Sequence, residues 1–169
     1  MIAFATALEP LRIANRVLGH RFYDYAVSSA TGDAVPASSG VPVGAGVDLP
    51  ELRKQVRSLN RPEFIFVCSG MNVAHYAGDK TLLGFIRDAS RLGVRIGGLC
   101  SAAHILAAAG LLNGKRCAIH WENLPGFTEK FPNADAYADL FEIDGNVYTC
   151  AGGTAPFDMM VSLIGEDHS

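Results

Sequence analysis

No apolar stretch in this chain approaches the ~20 residues that a membrane-spanning helix needs, and the longest runs, such as residues 105–112, stop far short of it. No basic-then-apolar leader opens the sequence, so the chain reads as cytoplasmic, with no membrane partner. A basic balance is also lacking: 14 Lys and Arg stand against 17 Asp and Glu, a formal charge of −3. Phosphate neutralisation along DNA needs the opposite sign, so this stretch is not expected to bind DNA by itself. The four cysteines, at 68, 100, 117 and 150, include no close pair, which excludes the common zinc and dithiol spacings. No metal is implied. Internal repeats, low-complexity tracts and charge runs are likewise missing. What remains is 169 residues with 49% hydrophobic and 18% charged positions. A chain of that size buries roughly 70% of the surface its unfolded form exposes, enough for one sizeable core. One domain over residues 1–169 is expected.

The order of elements follows from periodicity. Phe4, Ala7, Leu8, Leu11, Ala14 and Val17 fall at helical spacing, with Gly19 as a stop. Residues 25–29 and 41–47 read as short strands in a Gly-, Pro- and Ser-rich region. Residues 63–68, an unbroken β-favouring run between Pro62 and Gly70, have the pattern of a strand covered on both faces. A helix is predicted over 81–92, a buried strand over 94–99, and an Ala- and Leu-rich helix over 101–112, stopped at Asn113-Gly114. Residues 117–120, 141–143 and 147–150 read as strands, the last two hinged at Asp144-Gly145, and 154–164 as a closing helix. This alternation predicts an α/β fold: a mostly parallel sheet with helices on both faces, whose ligands gather beyond the carboxyl ends of the strands.

Those ends carry the candidate chemistry. Gly97-Gly98-Leu99-Cys100-Ser101-Ala102-Ala103 places a thiol between a buried strand and a helix, with small residues on both sides, as in a nucleophile elbow. Helix-terminal N–H groups there favour a thiolate. The same glycines also suit close helix–sheet packing around an inert thiol, and both readings stand. Ser69-Gly70 and Gly152-Gly153-Thr154 reach the same edge and offer backbone donors, or are ordinary turns. His120 is a candidate base and Trp121 an aromatic wall, against the alternative of a structural histidine. His104 is expected to pack or cap locally. Cys68 and Cys150 lie in apolar runs and are expected to be buried. Glu9 has the composition of a surface residue.

At these residues the chain resembles the ThiJ/PfpI branch of the class I glutamine-amidotransferase-like superfamily, a flavodoxin-like fold. More narrowly it resembles the N-terminal domain of AraC/XylS-type transcription regulators of the GlxA kind. The resemblance rests on Ala5-Thr-Ala-Leu-Glu-Pro-Leu-Arg-Ile-Ala-Asn15, Ala107-Ala-Ala-Gly-Leu-Leu-Asn-Gly114, Ala118-Ile-His-Trp-Glu122, and Ala151-Gly-Gly-Thr-Ala155 with Asp158. It implies a glutamate from the first helix and a histidine beside the elbow cysteine: Glu9, His120 and Cys100. The family opens with a buried strand before that helix, so a first strand is expected to be missing or replaced here. A helix-turn-helix domain is expected downstream.

Two functions follow from the resemblance. In the regulator branch the elbow is retained as architecture and the pocket senses a metabolite, an amino acid or a quaternary amine. This implies a ligand-sensing, homodimerising domain that meets DNA through another domain, with Glu9, Ser69, Gly70, Cys100, Ser101, His120, Trp121 and Gly153 around the ligand and no cofactor. Trp121 with Tyr76 would then offer an aromatic face to a cation. The alternative is a cysteine-dependent amidase, or a hydratase of small carbonyls, with Cys100, His120 and Glu9 as its catalytic group. Ser101 stands where peptidase-like relatives carry histidine, which weakens the case for hydrolysis. The His-x-Glu of residues 120–122 lies too near Cys100 in sequence to match the amidotransferase pair.

Overall fold

The structure, a computed structural model, describes residues 1–168. Its elements in chain order are α1 (Ile2–Leu18), β1 (Val35–Pro36), β2 (Pro42–Val43), α2 (Leu49–Gln55), β3 (Phe64–Ser69), α3 (Val73–Tyr76) and α4 (Lys80–Arg91). There follow β4 (Arg95–Cys100), α5 (Ala103–Ala108), β5 (Arg116–Ala118), α6 (Leu124–Lys130), β6 (Asp135–Tyr137), β7 (Phe141–Asp144), β8 (Val147–Cys150) and α7 (Ala155–Asp167). The main sheet has the order β3-β4-β8-β7, with β3, β4 and β8 parallel and β7 returning antiparallel from β8. This is the expected α/β architecture.

Alternation along the strands divides the core in two. Ile96 and Val147 point to the face covered by α4 and α5, among Phe85, Ile86 and Leu106. Leu99, Tyr148 and Cys150 point to the other face, among Ala7 of α1 and Met159, Met160 and Leu163 of α7. Helix α4 begins where the Asp79 carboxylate accepts from the amides of Thr81 and Leu82, at 2.8 and 3.1 Å. The parallel ribbon β5-β6 is fastened to the sheet by side chains. Arg116 forks onto Glu142 of β7 at 2.9 and 3.1 Å and lies 4.1 Å over the Tyr137 ring. The buried Thr149 hydroxyl oxygen accepts from the Ala118 amide at 2.8 Å.

Several expectations are corrected. Strand β3 is not covered on both faces: none of its residues is fully buried, and Cys68 is exposed instead of buried. Among the described residues it pairs only with β4, and no strand precedes α1. On one face of the strand Phe64 and Phe66 stack on each other, and the Arg95 guanidinium lies 4.0 Å over the Phe64 ring. The strand read over 25–29 shrinks to a bridge between Ser28 and Val47, and that over 41–47 to β2 and the same bridge. Glycines 44 and 46 deny this segment side chains to pack. The helix read over 101–112 is regular only through Ala108. Gly110 (φ 82) turns left-handed, its amide donates to Ala107, and the Leu111 amide donates to Leu106, a Schellman stop.

Replacing Thr149 by the isosteric Val would strand the buried Ala118 amide. We expect a loss of about 1–3 kcal/mol in urea denaturation, the usual cost of a buried donor left unpaired.

Candidate functional site

Leu99 and Ser101 flank the one non-glycine residue of positive φ among the described residues, Cys100 (φ 59). Left-handed backbone costs an L-residue with a Cβ about 1–2 kcal/mol, and surrounding contacts must hold it. They are visible here. The Ala102 amide donates to Leu99 O at 3.2 Å, closing the tight turn from β4 into α5. Gly152 (φ 101) lies directly on the thiol: a Cβ there would stand 2.8 Å from Cys100 Sγ. Any side chain at 152 would displace the sulfur. The Ser101 hydroxyl donates to Gly70 O at 2.8 Å, tying the loop after β3 to the elbow. Ser69, opposite Cys100 in the β3–β4 register, has a buried hydroxyl with no hydrogen-bond partner. A buried hydroxyl left without a partner is uncommon and carries an energetic cost, so this one marks the strand end beside Cys100 as unusual.

The structure thus brings together Cys100, Ser101, Ser69, Gly70 and Gly152. Gly152, read from the sequence only as part of a loop, proves closer to the sulfur than Gly153, beside which a Cβ would meet nothing. Gly153 contributes its carbonyl, which accepts from Thr6 of α1 at 3.2 Å. Glu9 lies one turn further along α1, exposed, and takes a two-pronged contact from Arg12 at 2.7–3.0 Å. That hydrogen bonding to Arg12 holds its carboxyl below the usual range. His120, half-buried after β5, stacks on Trp121 (5.9 Å between ring centres) and stands 3.8 Å from the Glu122 carboxylate. No hydrogen bond joins Glu9 or His120 to Cys100. Trp121 is 68% exposed.

His104 does pack locally. Its ring stands edge-on to Phe127 at 5.0 Å, Nδ1 lies 3.2 Å from Ser101 O, and burial lowers its pKa. Cys117 and Cys150 are buried thiols pushed up to about 11, which removes them as nucleophiles at neutral pH. Among the described residues no three His, Cys, Asp or Glu side chains are grouped to hold a metal, and no helix is long and apolar enough to cross a membrane.

A parallel sheet with helices on both faces and a strained thiol at a strand-to-helix elbow defines a flavodoxin-like, glutamine-amidotransferase-like domain. Residues 15–166 match the DJ-1/PfpI family, and the chain belongs to it. The HTH-type transcriptional regulator GlxA of Rhizobium meliloti is 39% identical over 166 residues, which are 98% of this chain and 49% of that protein. The HTH-type transcriptional regulator GbdR of Pseudomonas aeruginosa is 37% identical over 172 residues, 99% of this chain and 44% of that protein. The chain spans about half the length of these curated relatives. In three dimensions, the crystal structure of an AraC family transcriptional regulator from Pseudomonas putida superposes with a TM-score of 0.83 at 24% identity, covering 98% of this chain and 85% of that one.

Two outcomes test this geometry. Gly152→Ala should destabilise the chain by about 1–3 kcal/mol from backbone strain alone, and amide exchange at Ser101 and Ala102 should accelerate. For His104 the folded pKa lies below the unfolded one, so its neutral form contributes stability above pH 6.5. That contribution is lost as the pH falls through the folded value. The melting temperature of the chain should therefore drop more steeply below pH 6.5 than that of His104→Gln.

Proposed function

We propose that this chain is the ligand-sensing and dimerising half of a bacterial helix-turn-helix regulator, acting in the cytoplasm on a small metabolite. DNA is then read by a separate domain, in keeping with the acidic balance of this one. One observation carries the reading: the elbow is built in full, while both groups that would make Cys100 a catalyst are engaged elsewhere. Glu9 is held by Arg12, and His120 lies against Trp121 and Glu122. The strained thiol, its glycine cover and the orphan Ser69 hydroxyl then serve recognition. Near-complete alignment with one half of regulators such as GlxA supports the same reading.

The proposed ligand is an amino acid or a quaternary amine. Trp121 and Tyr76, both well exposed, lie beyond the carboxyl ends of β5 and β3. Faces of this kind attract a cation, and the attraction is worth about 0.5–2 kcal/mol. Calorimetry against amino acids and glycine betaine is the direct test. Trp121→Ala should weaken binding of a quaternary amine by about 2- to 30-fold, and Ser69→Ala should weaken every ligand that uses the orphan hydroxyl. Unchanged binding in both Cys100→Ala and Trp121→Ala would move the site elsewhere. If no ligand raises the melting temperature, the domain is a dimerisation module alone. A Cys100 thiol that iodoacetamide labels below neutral pH, with turnover of model amides or glyoxals, would establish the enzyme instead.

A further inference from the structure

The end of the sheet opposite the elbow carries a cleft of about 310 Å³ between the last turns of α4 and α5 and the start of β8, and small-ligand sites begin at about that size. Arg87 and Arg91 stand one turn apart on the same face of α4, and both line it. Neither side chain has a hydrogen bond or an ion pair among the described residues. The nearest carboxylate in sequence, Asp88, is turned the other way, toward Arg53 and Arg57 at 4.0 and 3.5 Å. A third cation, Lys115, lines the cleft with its ammonium on the Asp144 carboxylate and carbonyl at 3.3 and 3.1 Å.

Uncharged donors complete the lining. Asn146 donates to the Ser90 hydroxyl oxygen at 3.3 Å, which leaves the Ser90 O–H free to donate into the cleft. Behind them the wall is Val147, buried and apolar. Two unpaired guanidinium groups one turn apart repel each other, in a chain whose net charge is −3. An anion between them turns that weak repulsion into attraction, and each guanidinium offers a fork matched to two oxygens of a phosphate or carboxylate.

We propose that this cleft is a second binding site, for a small oxyanion of two or more negative charges. Arg87 and Arg91 are its forks, Ser90 its neutral donor, and Lys115 with Asp144 its fixed edge. It is separate from the elbow: the extended chain from Asn146 at the cleft through β8 to Cys150 beside the elbow spans roughly 13 Å at about 3.3 Å per residue. The site and its ligand class are independent of what the Cys100 end binds.

The test is an NMR titration of the ¹⁵N-labelled chain at fixed ionic strength, with sodium pyrophosphate and sodium citrate as probes. Saturable movement of the Ser90, Asn146 and Val147 amides is expected with at least one of them, with Ser101 and Gly152 unmoved. Response to pyrophosphate alone assigns phosphate, and response to citrate alone assigns carboxylate. The double variant Arg87→Gln, Arg91→Gln should keep the unliganded spectrum elsewhere and weaken binding at least about tenfold, as loss of two charge-assisted contacts requires. No saturable shift with either probe, or equal affinity in the double variant, would overturn the proposal. So would shifts produced by a short DNA duplex and by neither small anion, which would make the cleft a contact for backbone phosphate.

Discussion

Strand β4 carries two consecutive glycines, and both neighbouring layers close on it there. A Cβ at Gly97 would stand 2.1 Å from the Phe66 ring on one face. One at Gly98 would stand 3.2 Å from the Ala103 amide nitrogen and from the end of Leu106 on the other. Helix α5 therefore begins almost against the strand that feeds it, and the chain has only Cys100 to Ala102 in which to reverse. That shortage of chain is what drives Cys100 into left-handed backbone. Gly152 can then cover the sulfur, because it too lacks a Cβ and takes a positive φ. Bare backbone surface is the common cause of the packing, the strain and the site.

The two ends of the sheet are chemically distinct. The carboxyl end is lined by small groups, a thiol and neutral hydroxyls, while Glu9 is held by Arg12 and His120 lies beside Glu122. At the amino end, arginines without partners face a small cleft. The two proposed sites share one sheet, which gives them a physical basis for coupling. The coupling becomes real where an element between them, such as β8 or α5, has two arrangements that the ligands populate differently.

Legibility in the sequence followed the strength of local signals. Residues 81–92 carry a full apolar stripe with Asp79 before it and Gly93 after it, and α4 lies there within a residue or two. Asp144-Gly145 between two β-favouring runs marked the β7–β8 hairpin, and Gly-Gly-Leu-Cys-Ser-Ala marked the elbow. Helix α2 was overlooked although it announces itself: Asp48 caps it through the Glu51 amide, and Pro50 sits in its first turn. Helices α3 and α6, of 4 and 7 residues, and strand β6, of 3, are too short for periodicity to register. That β3 pairs only with β4 among the described residues was invisible for a different reason: an apolar run reports what a strand would accept as neighbours, not which neighbours it has.

The sequence by itself determined the fold class, the elbow with its cysteine, and the family motifs spread along the chain, because each is written in residues close together or in a repeating spacing. Tertiary structure alone decided that Gly152 and not Gly153 touches the sulfur, that Ser69 is left without a partner, and that Glu9 turns to Arg12. It also decided that Arg87 and Arg91 meet Lys115 and Asn146 across one cleft. These outcomes depend on ångström-scale distances between residues far apart in the chain. Such distances are set by how closely helices settle on the sheet, and no local pattern encodes them.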